Sequence, residues 1–498
     1  MNRVLKLIVL IVALASPALA ESVLRIGVTA MPPSLGNPFR TSLTPTIFST
    51  GAVFDALTRF DYDYNLEPWL ATGWEPVDAV TWRFTLRKGV TFSNGKPFTA
   101  DAVVNAAEFL NDPNSPQIEV RVLNEMPYMK GARAIDDYTV EITTSEPLPS
   151  FPRYVAAVLL AEPESFRAKG VEGFAREPIG TGPYRVEKIA ANAWTLRSVP
   201  TAWRPGKVDR LEITAVPIST SRGQAIQSGR LDVALGIGPD ELLDVEASGG
   251  VGVTWPFPST YGISFSLRRD GPTRDVRVRR ALNMAVDRQR IIDQLLNGTT
   301  VPSGQPAPKL VLGHNPNIKP YPFDPAAAKK LLAEAGYPSG FELTMEAMTG
   351  AAPADAAIFQ QVSADLADVG VKVTIRTMPA LQFLQRNSGG EIDSDLFPTP
   401  WLASPSADLL RSLNQNSCFR PKPYYCDPAI TPKMTEALRE QDPARGLALR
   451  HELAAHYHDQ APAIFLFETV MFAGLSARVT GFHMDGLFLA YHDIGVKP

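Results

Sequence analysis

Apolar and polar residues alternate along much of the first part of the chain. Residues 24–28, 82–86 and 138–142 each place apolar side chains at every second position, which is the period of a strand with one buried face. Asn94-Gly95, between the second and third of these segments, is typical of a tight turn. The pattern predicts a first part that is rich in strands.

Later segments repeat apolar residues with the period of a helix. Residues 275–295 carry them at intervals of three and four, which predicts one helix through this segment. Asp324 followed by Pro325 is a helix start signal, and Gly336 is typical of a helix end. A second helix is therefore expected between Asp324 and Gly336.

A strand pattern, a helix pattern and a second strand pattern follow one another at 341–345, 356–369 and 371–375. This order is that of a βαβ unit, in which a crossover helix covers two parallel strands. The chain is accordingly expected to form two lobes, one of mixed α+β structure and one of α/β structure.

The first twenty residues have the pattern of a secretory signal peptide. Arg3 and Lys6 precede the apolar run 7–14, and residues 18–20, Ala-Leu-Ala, form a small-x-small cleavage site. The run is too short to cross a bilayer, which needs about twenty residues. Because no cysteine follows the cleavage site, a lipid anchor is not expected. The sequence thus predicts a soluble protein exported to the periplasm.

Composition and charge exclude further classes of function. The 498 residues carry a formal net charge of −4, so no basic excess is available to neutralise nucleic-acid phosphates. Export bears on the two cysteines, Cys418 and Cys426, because an oxidising compartment favours a disulfide between them. A redox or metal-binding pair is the alternative, but its C-x-x-C spacing is absent.

Motifs that carry catalytic chemistry are absent from the sequence. It contains neither the nucleophile elbow G-x-S-x-G nor the phosphate loop G-x-x-x-x-G-K-[ST]. His451 and His456 flank Glu452, but an interval of five places two rings about 140° apart around a helix, so they cannot share one zinc ion. We expect no catalytic residue, no bound metal and no cofactor.

The run IGTGPY contains two glycines, Gly180 and Gly182. Both are expected to adopt backbone conformations that larger residues avoid. A phosphate-binding loop is the competing interpretation, but the helix start and the lysine of such a loop are missing.

Six runs of the chain carry the motifs of one known family. They are YNLEPWLATGWEP (64–76), TWRFTLRKGVTFSNGKPFTADAV (81–103), PIGTGPYRV (178–186), DVRVRRALNMAVDRQRII (275–292), YPFDPAAAKKLLAEAGYP (321–338) and HDQAPAIFLF (458–467). In order and spacing they resemble the solute-binding proteins of bacterial ABC importers, specifically the peptide and nickel family, family 5. The resemblance extends over essentially the whole chain after residue 20.

This resemblance implies an α/β fold of the two-lobed periplasmic binding protein type, in its large, type II-like family 5 form. Mixed sheets and a ligand cleft between hinged lobes belong to that form. We expect hinges near 256–260 and 474–481. The expected division is a signal peptide (1–20), lobe I (21–257, with an extra strand-rich subdomain around 60–190), lobe II (258–480) and a return to lobe I (481–498).

The resemblance also implies the periplasmic component of an ABC importer. Such a protein captures a peptide or peptide-like solute by hinge closure and delivers it to a permease and ATPase complex in the inner membrane. We expect a monomer without enzymatic activity. The alternatives are a non-peptide solute, such as an opine, a sugar conjugate or a metal chelate, and a sensor or chaperone that uses the fold without transport.

Peptide-binding relatives carry a W-x-x-D motif whose aspartate binds the α-amine of the peptide. Trp401 matches the tryptophan, but Ser404 stands at the aspartate position. A hydroxyl cannot supply the charge-assisted bond that a carboxylate gives an ammonium group. Asp408 would replace the missing aspartate only if the loop shifts. The departure from the W-x-x-D motif therefore favours a non-peptide solute.

The family layout implies further cleft residues. These are Asn37 in the loop after the first strand, Tyr261 where the chain passes between lobes, and Met348-Thr349 after a lobe II strand. Each is also compatible with plain packing. Similar cysteines occur in dipeptide-binding relatives. In this chain a Cys418–Cys426 bridge would stiffen a wall of the cleft.

Overall fold

The structure is a computed structural model that describes residues 21–40, 44–112, 128–349 and 354–497. The predicted signal peptide lies outside the described residues. The strands are β1 Val23–Val28, β2 Thr58–Phe60, β3 Leu66–Pro68, β4 Ala71–Pro76, β5 Thr81–Leu86, β6 Met129–Asp136, β7 Thr139–Thr144, β8 Tyr184–Ala190, β9 Ala193–Ser198, β10 Arg210–Ala215, β11 Val233–Leu235, β12 Val251–Phe265, β13 Phe341–Thr349, β14 Val371–Pro379, β15 Leu396–Leu402, β16 Ala463–Leu475, β17 Val479–Thr480, β18 Met484–Asp485, β19 Phe488–Leu489 and β20 Gly495–Val496.

Helices of varied length connect these strands. The α-helices are α1 Ile47–Thr50, α2 Ala100–Asn111, α3 Phe151–Tyr154, α4 Pro163–Arg176, α5 Ser219–Gln227, α6 Pro239–Ala247, α7 Val276–Ala285, α8 Arg288–Leu295, α9 Pro325–Glu334, α10 Asp355–Asp368, α11 Ala380–Gly389, α12 Leu409–Gln415, α13 Thr431–Arg439 and α14 Pro443–Gln460. Short 3-10 helices occur at Pro38–Arg40, Val155–Ala157 and Pro272–Arg274.

One mixed sheet runs through both lobes, in the strand order β14-β13-β15-β12-β16-β11-β1-β10-β9-β8. Parallel pairs lie within each lobe, β1 with β10 in the first and β13 with β14 in the second. A separate antiparallel sheet, β4-β5-β7-β6, lies within the segment expected to form the strand-rich subdomain.

β12 and β16 connect the two lobes. Trp255 of β12 and Ala473 of β16 pack in the core of the first lobe, whereas Tyr261 and Phe467 pack in the core of the second. The pairing of the two strands is irregular between Pro256 and Thr260. The change of core and the break in the ladder therefore fall at one place, which we call the crossing.

The first expected hinge, 256–260, coincides with this crossing. The second was expected at 474–481, but Gly474 still pairs with Ala234 of β11 in the first lobe. Strand pairing carries β16 into that lobe, so its own crossing lies earlier, between Phe467 and Ala473. The C-terminal residues, including Tyr491, pack in the first core.

Several local predictions are confirmed by the structure. β1 forms where the first alternation lies, and α9 begins after Asp324, whose carboxylate accepts a bond from the Ala327 amide at 2.9 Å. The βαβ unit forms as β13, α10 and β14, with the two strands parallel.

The single helix expected over 275–295 is wrong, because the segment forms two helices, α7 and α8. Val286 between them is extended (φ −97°, ψ 123°). Asp287 then caps α8 by accepting a bond from the Arg290 amide at 3.0 Å, and its own amide donates to Asp365 at 2.9 Å. Apolar periodicity continues through the break because both helices bury apolar side chains in the same core.

The glycines of the IGTGPY run serve close approach rather than an unusual backbone conformation. A Cβ on Gly180 would lie 2.0 Å from the Val53 carbonyl oxygen, and one on Gly182 would lie 2.6 Å from that of Ala52. Neither glycine has a positive φ. The expectation of an unusual backbone conformation is therefore wrong. Other residues are excluded here because there is no space for a side chain.

Cys418 and Cys426 form the predicted disulfide, which closes a loop between α12 and α13. Replacing both by alanine should lower the free energy of unfolding by about 2–3 kcal/mol, because the bond restricts the unfolded chain. Urea unfolding measures this. A thiol reductant should destabilise the parent protein by a similar amount and leave the double variant unchanged. Equal stability of the two proteins would contradict the expectation.

Candidate functional site

The two lobes meet along a boundary that polar contacts cross. The Arg153 guanidinium, in the first lobe, donates from Nε to the Ser406 carbonyl at 2.8 Å and from Nη2 to the Ala407 carbonyl at 3.0 Å. Arg439 and Glu146 form a second bridge at 2.6 Å. These contacts hold the lobes together in the structure.

Apolar side chains meet at the same boundary. Phe60, Tyr64 and Ala156 of the first lobe form a buried cluster with Ala407 of the second. The Arg153 guanidinium lies 4.8 Å from the centre of the Phe60 ring. Burial lowers the pKa of Arg153 to about 10, so it stays charged at neutral pH and strengthens both bonds across the boundary.

Three cavities lie along the boundary. The hinge cavity, of about 200 Å³, has walls that include Tyr64, Pro258, Thr300, Leu310, Glu468 and Thr469. The outer cavity, of about 210 Å³, is lined among others by Tyr154, Arg411, Asn414, Phe419 and Met434. The side cavity, of about 230 Å³, is lined among others by Trp74, Trp82, Arg153, Leu312 and Arg450. Each has walls from both lobes, as expected of a ligand cleft.

Trp401 lies in β15 with 1% of its surface exposed. Its ring packs edge-to-face on Phe465 and Tyr457, with centroids 5.1 and 5.9 Å away. Its indole Nε1 has no hydrogen-bond partner among the described residues. In this conformation Trp401 belongs to a core of the second lobe, and a ligand could reach it only after the lobes or the loop move.

Ser404 and Asp408 lie on the loop that follows Trp401, and both are fully buried. The Ser404 hydroxyl has no hydrogen-bond partner within the described ranges. Asp408 binds Arg450 through two bonds of 2.9 and 2.7 Å and also accepts from the Leu410 amide at 3.0 Å, which caps α12. The Asp408 carboxylate is thus engaged by protein groups, whereas Ser404 retains a free hydroxyl.

Tyr261 lies close to Trp401 in the sheet, because its strand neighbour Thr260 pairs with Trp401. The Tyr261 ring stacks on Phe467 with centroids 5.4 Å apart, and its hydroxyl donates to Asp355 at 3.0 Å. Burial, together with the nearby Asp355 carboxylate, raises the pKa of Tyr261 well above its ordinary value. Tyr261 therefore ties β12 to α10.

The remaining predicted site residues lie apart from this group. Asn37, in the first lobe, accepts a bond from the Phe39 amide at 2.9 Å and is buried. Met348 packs with Phe383 and neighbouring apolar residues in a separate cluster of the second lobe. Thr349 ends β13, and its side chain lies outside the described part of the structure.

Three residues of the boundary were missed by the sequence analysis, namely Tyr64, Arg153 and Glu468. Tyr64 donates to the Pro256 carbonyl at 3.4 Å, at the crossing. Glu468 had a detectable signal, since it is the one charged residue in β16, a strand of mostly apolar residues. Nothing in the local sequence distinguishes Arg153 from other arginines, because its carbonyl partners lie about 250 residues away.

No helix of the described residues combines the length and the apolar composition that a membrane span requires. None of their histidine, cysteine, aspartate and glutamate side chains gather in a group of three that could hold a metal ion.

Comparisons with known proteins find related sequences and related folds. The profile described as bacterial extracellular solute-binding proteins, family 5 middle, matches residues 65–417. Heme-binding protein A of Haemophilus influenzae is 28% identical (87% of this chain, 85% of that protein). A glutathione-binding protein of Pectobacterium atrosepticum is 29% identical (90% and 89%). The dipeptide-binding protein of a Pseudoalteromonas species, solved with Met-Leu, superposes with a TM-score of 0.80 at 22% identity (95% and 100%).

The Asp408–Arg450 pair generates a prediction about stability. Asp408→Asn keeps the shape of the side chain but leaves the buried Arg450 charge uncompensated, which should lower the free energy of unfolding by about 3–5 kcal/mol. The double variant with Arg450→Met should recover part of the loss. Urea unfolding measures both. Unchanged stability with weakened solute binding would instead make Asp408 a ligand-binding residue.

Proposed function

Because the chain belongs to family 5 of the bacterial extracellular solute-binding proteins, we propose that it binds a small peptide-like solute between its two lobes. It works in the periplasm as a monomer, after removal of residues 1–20. Hinge closure captures the solute, and the closed form delivers it to the permease and ATPase complex of an ABC importer. The binding protein itself makes or breaks no bond.

The observation that carries this proposal is the bridge from Arg153 to the carbonyls of Ser406 and Ala407. Its donor and its acceptors belong to different lobes, so the bridge forms only when the lobes close. Cavities with walls from both lobes lie beside it, and the ladder between β12 and β16 is irregular at the crossing. A solute that fills such a cavity stabilises the closed arrangement.

The relatives suggest which solutes to test first. The curated relatives are named for glutathione and heme, and a structural neighbour holds the dipeptide Met-Leu. A peptide-like solute is therefore the leading class. Ser404 contacts this solute through its unpaired hydroxyl. Trp401 and Tyr261 pack beneath the binding surface and support it.

A non-peptide solute is the second candidate, favoured by the state of the two residues at the W-x-x-D motif. Ser404 has no charge, and the carboxylate of Asp408 is already paired with Arg450. An opine, a sugar conjugate or a metal chelate has no need of that carboxylate. A sensor or chaperone role on the same fold is the remaining alternative, and it requires no permease.

Native mass spectrometry of gently purified protein tests the proposal. We expect one small molecule per chain, which rebinds in calorimetry after the protein has been unfolded and refolded. Glutathione, Met-Leu and heme are the first candidates for the same titration. A protein that carries no solute and binds none of these three would contradict uptake of a peptide-like solute. A non-peptide mass that rebinds would select the second candidate.

Arg153→Met tests closure itself. The loss of two charge-assisted bonds between lobes should weaken binding of the co-purified solute about tenfold or more, because the closed form becomes less populated. Calorimetry measures the affinity, and small-angle scattering measures the compaction on binding. Arg185→Met is the matched control, since Arg185 is exposed on β8. Equal affinity in the two variants would contradict a role for Arg153 in closure.

A further inference from the structure

A carboxylate lies near the position where the W-x-x-D motif lacks one. Trp401 of β15, Thr260 of β12 and Glu468 of β16 occupy one row of the sheet, because Thr260 pairs with both of the others. Neighbouring strands lie about 4.8 Å apart, so Glu468 is roughly 10 Å from Trp401 across the row. Directly paired residues carry their side chains on the same face.

The loop that carries Ser404 starts beside the hinge cavity. The Ala403 amide donates to the Pro258 carbonyl at 2.8 Å, and Pro258 and Glu468 both line the hinge cavity. The start of the Ser404 loop and the Glu468 carboxylate therefore lie at the same cavity between the lobes, whereas Ser404 itself is fully buried and does not line it.

Glu468 has only a backbone partner. Its Oε1 accepts from the Lys309 amide at 3.0 Å, and no cationic side chain of the described residues lies within 4.0 Å of its carboxylate. The Lys309 side chain is exposed, and the His314 imidazole bonds the Ala307 carbonyl at 3.0 Å, so neither side chain forms a salt bridge with Glu468. Within the described residues Glu468 thus forms no salt bridge, and His314 and Lys309 act on its charge only from a distance.

The walls of the hinge cavity make this charge costly without a ligand. Most lining side chains are apolar, among them Pro258, Val301 and Leu310. Burial raises the pKa of Glu468 above its ordinary value. The hydroxyl groups of Thr260 and Thr469 are buried beside it without a hydrogen-bond partner among the described residues. An ammonium group would pair with the carboxylate, and its hydrogen atoms could also reach hydroxyl oxygens.

We infer that Glu468 binds a cationic group of the solute, a protonated amine, in the hinge cavity. The inference rests on the proposed function and adds the chemical class of the solute. Glu468 thereby performs, from the β16 strand, the task that an aspartate at position 404 would perform. A solute with an amine and an apolar portion fits the mixture of one carboxylate, hydroxyls and apolar walls.

A pair of small probes tests the inference without knowledge of the natural solute. n-Butylammonium and 1-butanol have similar shapes and differ in charge, and both are small enough for the cavity. Ligand-observed NMR titration of the purified exported protein should show tighter binding of n-butylammonium. Glu468→Gln should weaken that binding about tenfold or more, because a bond to a charged group is lost, and should leave 1-butanol unchanged.

Two further variants complete the test. Glu342→Gln removes one negative charge from an exposed position of β13 and should leave both probes unchanged. Glu468→Asp keeps the charge and should keep the preference for n-butylammonium, which also guards against misfolding of the glutamine variant. Equal binding of the two probes to the parent protein would overturn the inference. So would equal binding of n-butylammonium to Glu468→Gln and Glu342→Gln.

The inference and the proposed function can fail separately. If the co-purified solute binds Glu468→Gln as tightly as it binds the parent, the function stands and the inference falls. If no solute is found or rebound but n-butylammonium still depends on Glu468, the carboxylate binds cations as inferred and the solute-capture function falls.

Discussion

The antiparallel pairing of β12 with β16 is the constraint on which the rest of the structure depends. These two strands lie in the centre of a sheet that extends into both lobes, and each contributes side chains to both cores. The ladder is irregular between Pro256 and Thr260 and again between Tyr261 and Gly262. Because Pro256 and Pro258 have no amide hydrogen, they cannot complete the ladder there. The hydrogen-bond ladder is therefore interrupted where the two strands pass from one lobe to the other.

The cleft follows from this crossing. The boundary between the lobes holds few polar bridges, of which Arg153 makes two, and cavities remain between them. The hinge cavity lies against the crossing itself, so its walls include β12, β16 and residues of both lobes. A solute there contacts the elements whose relative position defines closure, which couples binding to the movement of the lobes.

Charge in the cleft is distributed differently from what the W-x-x-D motif alone suggests. Asp408 follows the motif closely in sequence, yet its carboxylate already pairs with Arg450 on α14 and accepts the hydrogen bond that caps α12. Glu468 is distant in sequence, and its carboxylate accepts a hydrogen bond from the Lys309 amide but forms no salt bridge with any described residue. Position in the chain identified the aspartate as a candidate, whereas pairing across the sheet identifies the glutamate. The free energy of a buried charge depends on its partners, and partners are set by the fold.

The sequence by itself determined the family, the two-lobed fold, the disulfide and the local elements with strong start signals, such as α9. The local elements and the disulfide depend on residues near one another in the chain, so periodicity and capping detect them. The order of the six motifs along the chain identifies the family and, with it, the two-lobed fold. Only the tertiary structure decided that α7 and α8 are separate, that Trp401 is buried, and which cleft carboxylate has no salt bridge to the described residues. Each of these depends on groups far apart in sequence, such as Asp287 with Asp365 or Thr260 with Glu468. Local patterns contain no record of such partners, because long-range packing alone brings them together.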